Sequence, residues 1–237
     1  KGPFNINKIL GDKKGKWIGV KWIENKMKKL SKKPEKINLK DVMWAMRTPK
    51  LTGDTAGYGQ VVPLIDPSHN DLRMLWHSPI GAVAAPFSPI FIGQTKIPEE
   101  FMMHRYLTVG ESHRFSDERK KKNKDTVSLV NQEIESTVSA VYECKRLFYL
   151  ILQNKNHFLS FVNKAFESRE KKLIKKTLKI IKRSKKISKN KLNNFSLYEL
   201  MQGLKLVQNL SKNLEKSIRN SKRFSKSIKP KCFNQIW

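Results

Sequence analysis

The sequence is poor in cysteine and in acidic residues, and it has no long hydrophobic run. Only Cys144 and Cys232 are cysteines, and neither lies in a Cys-x-x-Cys or Cys/His ligand spacing. Two such cysteines make no disulfide framework, which favours a reducing compartment and predicts a cytoplasmic protein. No apolar run reaches the roughly 18–20 residues of a membrane-spanning helix, so we expect no membrane partner.

Several catalytic and targeting motifs are also missing. The sequence has no Gly-rich phosphate loop, no Gly-x-Ser-x-Gly elbow and no His-Glu-x-x-His helix, and we predict no cofactor and no metal site. Lys1–Leu10 lacks the apolar stretch of a signal peptide. Because the chain opens with Lys1 and not with Met, we expect its true start to lie upstream.

Positive charge dominates the composition and is unevenly distributed. The 237 residues carry a net charge of +29. Residues 1–115 hold 19 basic and 10 acidic side chains, whereas residues 116–237 hold 30 and 10. Charge and hydropathy together predict a β-rich part over 1–115, long amphipathic helices over 116–181, and a basic linker with a C-terminal helix over 182–237.

The first half is predicted to contain strands around one short helix. Strands are predicted at Lys16–Ile23, Val61–Ile65 and Leu72–His77, with a loop over Glu24–Lys36. Tyr58–His77 is therefore predicted to be a β-hairpin. Val83–Ile92 contains two prolines and is predicted to be irregular or an edge segment, followed by a helical turn at Ile97–Phe101.

The predicted helix has clear start and stop signals. Asn38 is a candidate N-cap, and Asp41 lies three residues later near the positive end of the helix dipole. Pro49 disfavours helical geometry at Thr48, so the helix is expected to end near Arg47.

The second half is predicted to be helical. Apolar residues recur at helical spacing in a long helix from Asp125, in its continuation through Phe166, in a basic segment at Leu173–Ile181, and in a last helix capped by Ser196. Lys182–Asn194 is predicted to be a linker. Cys144 lies inside a helix, where packing is the expected role.

The first candidate site follows the short helix. Arg47 precedes a Gly/Thr/Asp loop that contains Thr52, Asp54 and Thr55. Such a loop can surround a small polar ligand, and a guanidinium can hold a carboxylate through paired hydrogen bonds. The structural alternative is an Arg that binds the last carbonyls of its own helix.

Trp76 and His77 form the second candidate, at the end of the predicted hairpin. A histidine beside an aromatic ring can serve as a polar group of a pocket. No Asp or Ser partner lies at a recognisable spacing, so a structural His77 is the alternative to a catalytic one.

Lysine runs form the third candidate, and they lie at Lys120–Lys122, Lys171–Lys176 and Lys182–Lys191. Such runs can neutralise phosphates. The sequence has no zinc-finger spacing and no aromatic RNA-binding motif, and it uses lysine far more than arginine. These features suit a solvated surface, so nucleic acid is not favoured as a partner.

The order of these segments resembles a known family. A helix ending in Arg47, the hairpin, and Pro86–Pro98, which has the form Pro-Phe-x-x-x-Phe-x-Gly-x-Thr-x-Ile-Pro, are similar to the later portion of the secernin and dipeptidase family of N-terminal-nucleophile cysteine hydrolases. The resemblance covers roughly residues 16–152, and residues 153–237 add nothing to it.

The resemblance implies an α/β (α+β) fold, here a partial αββα sandwich with a basic helical C-terminal region. It implies hydrolysis of a small peptide or acyl-amide by an N-terminal Cys that self-cleavage exposes and whose α-amino group acts as base. Lys1 is not a nucleophile, so the chain is expected to be a fragment that is inactive alone.

On this resemblance and on the chemistry of such a pocket, the expected substrate-binding residues are Arg47, Thr52, Asp54, Thr55, Trp76 and His77. A homo-oligomer is left open. The alternative hypothesis is a basic helical protein that binds nucleic acid or scaffolds a partner without catalysis.

Overall fold

The described part of the chain combines long helices with one small antiparallel sheet. The computed structural model describes residues 18–32, 34, 37–49, 58–63, 69–102, 138–183 and 188–221. The helices are α1 (Ile18–Ser31), α2 (Leu39–Arg47), α3 (Glu99–Met102), α4 (Ala140–Gln153), α5 (Lys155–Arg183) and α6 (Lys189–Ser221). The strands are β1 (Gly59–Val61), β2 (Met74–Ser78) and β3 (Ser88–Phe91), and a 3₁₀ turn spans Asn70–Leu72. The coarse α+β class is therefore confirmed.

The first described element is a helix, so the predicted strand at Lys16–Ile23 is wrong from Ile18 onward and the predicted loop at Glu24–Lys36 is wrong as far as Ser31. Helix α1 occupies Ile18–Ser31. Ile23, Met27 and Leu30 recur at helical spacing and are half-buried, whereas the lysines between them are exposed. Lysine, methionine and leucine are good helix formers, so the helix continues beyond the short β-branched run.

Helix α2 begins and ends where its sequence signals predicted. The Asn38 side chain accepts hydrogen bonds from the backbone N–H groups of Lys40 (3.0 Å) and Asp41 (3.3 Å). The Asp41 carboxylate accepts in return from the Asn38 N–H at 3.0 Å, which completes a capping box. Thr48 is extended, with ψ of 133°, and the residue after it is Pro49. The helix prediction is confirmed.

The sheet has the strand order β1-β2-β3, and every pair is antiparallel. Strand β1 pairs with β2, with Gln60 opposite His77, which confirms the predicted antiparallel pairing. The predicted strand bounds are wrong, because β1 ends at Val61, where the first strand was predicted to begin, and Leu72 lies in the 3₁₀ turn before β2. Strand β3 lies at an edge and carries Pro89, which fits because a proline cannot donate to a ladder. The helical turn predicted after it forms as α3.

The C-terminal helices differ from the prediction in their boundaries. Helix α4 is capped by Ser139, whose hydroxyl accepts from the Tyr142 N–H at 3.3 Å; residues 125–137 lie outside the described part. Helix α6 begins at Lys189, so the predicted linker to Asn194 is too long and the predicted cap at Ser196 is wrong. Leu192 is buried in the core, which extends the apolar face one turn earlier than Ser196.

Two apolar clusters form the core, and α5 and α6 contribute to both. The first joins α4 to the first half of α5, the second half of α6 and the turn around Ala84. The second joins the sheet to α2, to Leu173 and Ile174 of α5, and to Leu192 of α6. Helix α5 therefore passes the end of α2 at the boundary between the clusters, where the candidate site lies.

A buried ion pair beside a charged cleft

The Arg47 side chain at the end of α2 is buried, with 3% of its surface exposed. Its Nη2 donates to the Glu170 carboxylate on α5, and its Nε donates to the Ala82 carbonyl at 3.2 Å. Its guanidinium lies 5.9 Å from the ring centroid of Phe87 and 5.5 Å from that of Phe166, within cation–π distance. The charge and the hydrogen-bond donors of Arg47 are therefore engaged by partners within the protein.

Glu170 joins three parts of the fold. The carboxylate oxygen that binds Arg47 also accepts a hydrogen bond from the Phe87 N–H at 2.8 Å. Burial raises the pKa of Glu170 above its ordinary value, and the Arg47 guanidinium and the Phe87 N–H oppose that shift by favouring the carboxylate. The side chain thereby ties α5 to α2 and to the segment that enters β3.

Arg169 binds the other backbone polar group of Phe87, its carbonyl. Its Nη1 donates to the Phe87 carbonyl at 2.9 Å, and its Nη2 contacts the Glu199 carbonyl and the Ser88 hydroxyl. Burial lowers the pKa of Arg169, and Glu199 and Glu170 oppose that shift. Consecutive residues of α5 thus hold both polar groups of Phe87, which fixes the helix against the sheet edge.

A cleft of about 300 Å³ opens between α2 and α5, beside the Arg47–Glu170 pair. It is lined by Lys40, Asp41, Met43, Trp44, Arg47, Glu167, Glu170 and Lys171. Lys40, Glu167 and Lys171 are exposed at its surface, and charges of both signs surround an apolar floor. A volume of this size with a few convergent polar groups suits a small ligand that carries both a cation and an anion.

An aromatic contact holds α1 against the same face of α2. The rings of Trp22 and Trp44 have centroids 5.7 Å apart and an interplanar angle of 40°. Trp44 lines the cleft and is 39% exposed. Helix α1 therefore contacts α2 through a residue that also lines the cleft.

The structure separates the residues that the sequence grouped together. Arg47 lies at the cleft, but Trp76 is 1% exposed in the sheet core. His77 points to the opposite face of β2 and lines a small cavity with Ser88 and Cys144. Burial lowers the pKa of His77. Thr52, Asp54 and Thr55 lie outside the described residues.

The cleft contains residues that the sequence did not single out. Lys40, Asp41, Glu167 and Glu170 were not candidates, and Lys171 was noted only within a lysine run. One signal was present, because Glu170 follows Phe166 by four residues and interrupts the apolar face of α5 with a carboxylate. A charged residue on a buried face requires a partner, although the sequence does not identify which.

Comparisons with known proteins give no match: no family model, no curated protein and no solved structure is similar to this chain. Within the described ranges, no group of three or more His, Cys, Asp or Glu side chains could hold a metal ion. In the same ranges, no helix has the length and apolarity to cross a bilayer.

Proposed function

We propose that this chain is part of an amide-hydrolysing enzyme of the N-terminal-nucleophile type and that its cleft between α2 and α5 binds a small peptide or acyl-amide. The observation that carries the proposal is the charge arrangement of the cleft. Lys40 and Lys171 can bind a carboxylate, and Asp41 and Glu167 can bind an ammonium group. The two charged ends of a short peptide match these two kinds of group.

The order of elements also supports the proposal. The Arg-terminated helix, the hairpin, the Pro-Phe segment and the following helical turn carry the family resemblance. They form α2, β1–β2, β3 and α3 in that order. Phe87 of the Pro-Phe segment rests on the Arg47–Glu170 pair through its ring and its N–H. Two parts of the resemblance, the end of α2 and the Pro-Phe segment, therefore contact the same ion pair beside the cleft.

The nucleophile of the proposed reaction lies elsewhere than Cys144. That thiol is 1% exposed, and burial together with the neighbouring Glu143 raises its pKa, so the reactive thiolate is disfavoured. Cys232 is outside the described residues. The resemblance assigns the role to an N-terminal Cys, which this proposal locates on a segment outside residues 1–237.

In the proposed reaction, the thiol of that N-terminal Cys hydrolyses the amide through a thioester. Its sulfur attacks the amide carbonyl while the α-amino group of the same Cys takes the thiol proton and passes it to the departing amine. The C–N bond breaks, leaving a thioester, and water then releases the acid and restores the thiol. In this scheme Arg47 is a positioning residue, because it holds Glu170 at the cleft margin.

The proposal includes a second sheet that would complete an αββα sandwich. A three-stranded sheet has two edges, and neither β1 nor β3 pairs with a further strand among the described residues. Strand edges with unpaired N–H and C=O groups accept additional strands. Such edges could extend this sheet, and the proposed sandwich also requires a second sheet packed face to face against it.

Calorimetric titration of this chain with an uncapped dipeptide tests the binding half of the proposal. We expect the N-acetylated, C-amidated dipeptide to bind at least tenfold weaker, because it lacks both charges. Lys171→Gln should weaken binding of peptides with a free carboxylate, and Glu167→Gln should weaken binding of peptides with a free amine. Lys205→Gln, an exposed change on α6, is the matched control.

Hydrolysis is tested with the product of the complete gene. We expect it to release amino acids from dipeptides or acyl-amides, to lose this activity after thiol alkylation, and to show a raised KM in the Lys171→Gln variant. Equal binding of capped and uncapped peptides, or no hydrolysis of any dipeptide or acyl-amide, would overturn the proposal.

A further inference from the structure

The exposed face of α5 carries a row of lysines. Lys171–Lys182 contains six lysines and no acidic residue. With Lys164 about two turns earlier, they form what we call the lysine face: Lys164, Lys171, Lys172, Lys175, Lys176, Lys179 and Lys182. All seven side chains are exposed. At 3.6 residues per turn they fall within an arc of about 140° around the helix.

Most of this charge is not neutralised by the protein. Lys176 pairs with Glu199 at 3.1 Å. For the other six lysines, the structure shows no ion pair within its described residues. On α5 itself, Glu170 is buried against Arg47, and Glu167 lies between Lys164 and Lys171 on the side that lines the cleft. The face therefore presents a concentrated positive charge to solvent.

We propose that the lysine face binds the phosphate backbone of duplex DNA without recognising its sequence. Lys171, Lys175, Lys179 and Lys182 are spaced by four, four and three residues, which places them about 4.5–6 Å apart along the helix axis. A row of cations about 16 Å long can contact several phosphates of one duplex and release their counterions. This proposal does not depend on the hydrolase assignment.

The shape of the face favours a B-form groove over a flat surface. Its ammonium groups fan around a convex helix, and the major groove of B-DNA, about 12 Å wide, admits a helix with phosphates on both sides. The major groove of duplex RNA is too deep and narrow for this arrangement. A membrane would meet only the middle of the arc.

The apolar residues of α5 argue further against a membrane. Phe158, Val162, Phe166 and Leu173 are buried in the protein core, so they cannot insert between lipids. The large apolar side chains of α5 that are exposed, Phe161 at 49% and Leu178 at 47%, lie nearly five turns apart and form no continuous apolar surface. Stable adsorption to a bilayer needs inserted apolar area as well as charge.

The choice of lysine fits backbone binding. Lysine is a flexible point charge that contacts phosphates, whereas specific base contacts favour the planar fork of arginine. The sequence argument against nucleic acid rested on missing base-contacting and zinc-finger motifs and on the excess of lysine over arginine, which disfavours specific base contacts. Those motifs matter for sequence recognition, and contacts with the backbone alone do not require them.

Fluorescence anisotropy with a labelled 25-base-pair duplex tests the proposal. With five to six phosphate contacts, the plot of log K against log salt concentration should have a slope of about −5. Affinity should then fall roughly a thousand-fold between 50 and 200 mM salt. A duplex of the same length and shuffled sequence should bind equally well.

Two matched variants separate the lysine face from net charge. The quadruple variant K171Q/K175Q/K179Q/K182Q should reduce the steepness of the slope by about 3 to 4 and weaken binding at least tenfold at 100 mM salt. The control K205Q/K212Q/K216Q/R219Q removes the same charge from exposed positions of α6 and should leave the slope within about one unit of the wild type. Thermal melts check that both variants fold.

Three results would overturn the proposal. Equal losses in the two quadruple variants would make net charge the cause. Equal or tighter binding of duplex RNA would contradict the fit to a B-form groove. Tighter binding to vesicles that contain phosphatidylserine than to DNA would assign the lysine face to a membrane surface.

Discussion

Arg47 and Glu170 show how burial changes the role of an ionisable residue. Both side chains are withdrawn from water, and their charges are compensated by each other, by the Ala82 carbonyl and by the Phe87 N–H. Removing one partner of such a pair leaves the other charge buried and unpaired, which is more costly than the net contribution of the pair. Arg47 consequently shapes the cleft while its guanidinium is already occupied.

Glu170→Ala should lower the free energy of unfolding by about 3–5 kcal/mol, because it leaves the Arg47 charge unpaired in the core. Urea unfolding measures the change. Glu167→Ala, an exposed substitution one turn earlier on α5, is the matched control and should stay within about 0.5 kcal/mol of the wild type.

A double-mutant cycle with Arg47→Met identifies the cause of that loss. If the two residues act as a pair, the double variant is less destabilised than the sum of the single variants. Additive effects, or equal effects of Glu170→Ala and Glu167→Ala, would show that the pair is not the source of the stabilisation.

His77 predicts a pH dependence of stability. Burial lowers its pKa below the ordinary value of 6.5, so in acid the unfolded chain takes up the proton more readily than the folded one. The resulting stability is complete above about pH 6.5 and is lost as pH falls through the folded-state pKa. Each unit of difference between the two pKa values corresponds to about 1.4 kcal/mol.

The measurement is the free energy of unfolding between pH 7.5 and 5. The wild type should lose stability toward pH 5 more steeply than His77→Gln. His157→Gln, an exposed change on α5, should follow the wild type. Parallel curves for the wild type and His77→Gln would contradict the prediction.

At the scale of secondary structure, the sequence predicted helix ends correctly where capping residues and proline act on the adjacent backbone. Asn38 and Asp41 act on the first turn of α2, and Pro49 acts on the residue that follows its last turn. They predicted both ends of the helix. The structure of the segment from Lys16 was predicted wrongly, because its run of β-branched and aromatic residues suggested a strand. Ile23, Met27 and Leu30 are half-buried on one face of a helix, and this packing overrode the strand preference of the β-branched and aromatic residues.

Packing also moved the start of α6. Serine is favoured at N-caps, but Ser196 lies seven residues after the start of α6, and its side chain is buried. Leu192 fits into the cluster beneath the sheet, and that burial favours helix formation one turn earlier. The stabilisation from burying Leu192 depends on where the sheet lies, and helix propensity alone does not predict that position.

The candidate cleft could be predicted only in part for the same reason. Arg47 was identifiable because it ends a recognisable helix before a Gly-rich loop. Glu170 follows it by 123 residues, and only the tertiary fold brings α5 to the end of α2. A sequence pattern shows that each charge needs a partner, but it does not show that these two residues meet.

At the scale of the whole molecule, α5 and α6 couple the two apolar clusters. Each helix contributes side chains to both clusters. Ion pairs add connections between distant segments, with Arg146 bound to Glu215 at 2.6 Å and Lys176 bound to Glu199 at 3.1 Å. Loss of either cluster removes packing contacts of both helices, so we expect the described core to unfold cooperatively.

Cys144 provides a probe of that cooperativity. Its thiol is buried on α4 within the first cluster, and burial raises its pKa, so alkylation requires the chain to open. In a Cys232→Ser background, Cys144 is the sole thiol. Iodoacetamide should label it at least about a thousand-fold more slowly than an exposed thiol, in proportion to the small unfolded population.

The control variant carries Cys144→Ser, Cys232→Ser and Ser160→Cys, which places the single thiol at an exposed position of α5. In increasing urea, labelling of Cys144 should accelerate in parallel with the loss of far-UV circular dichroism, because one global transition exposes both the thiol and the helices. Labelling that accelerates well before the helices melt would mean that the first cluster opens alone, and α5 and α6 would then not couple the two halves of the core.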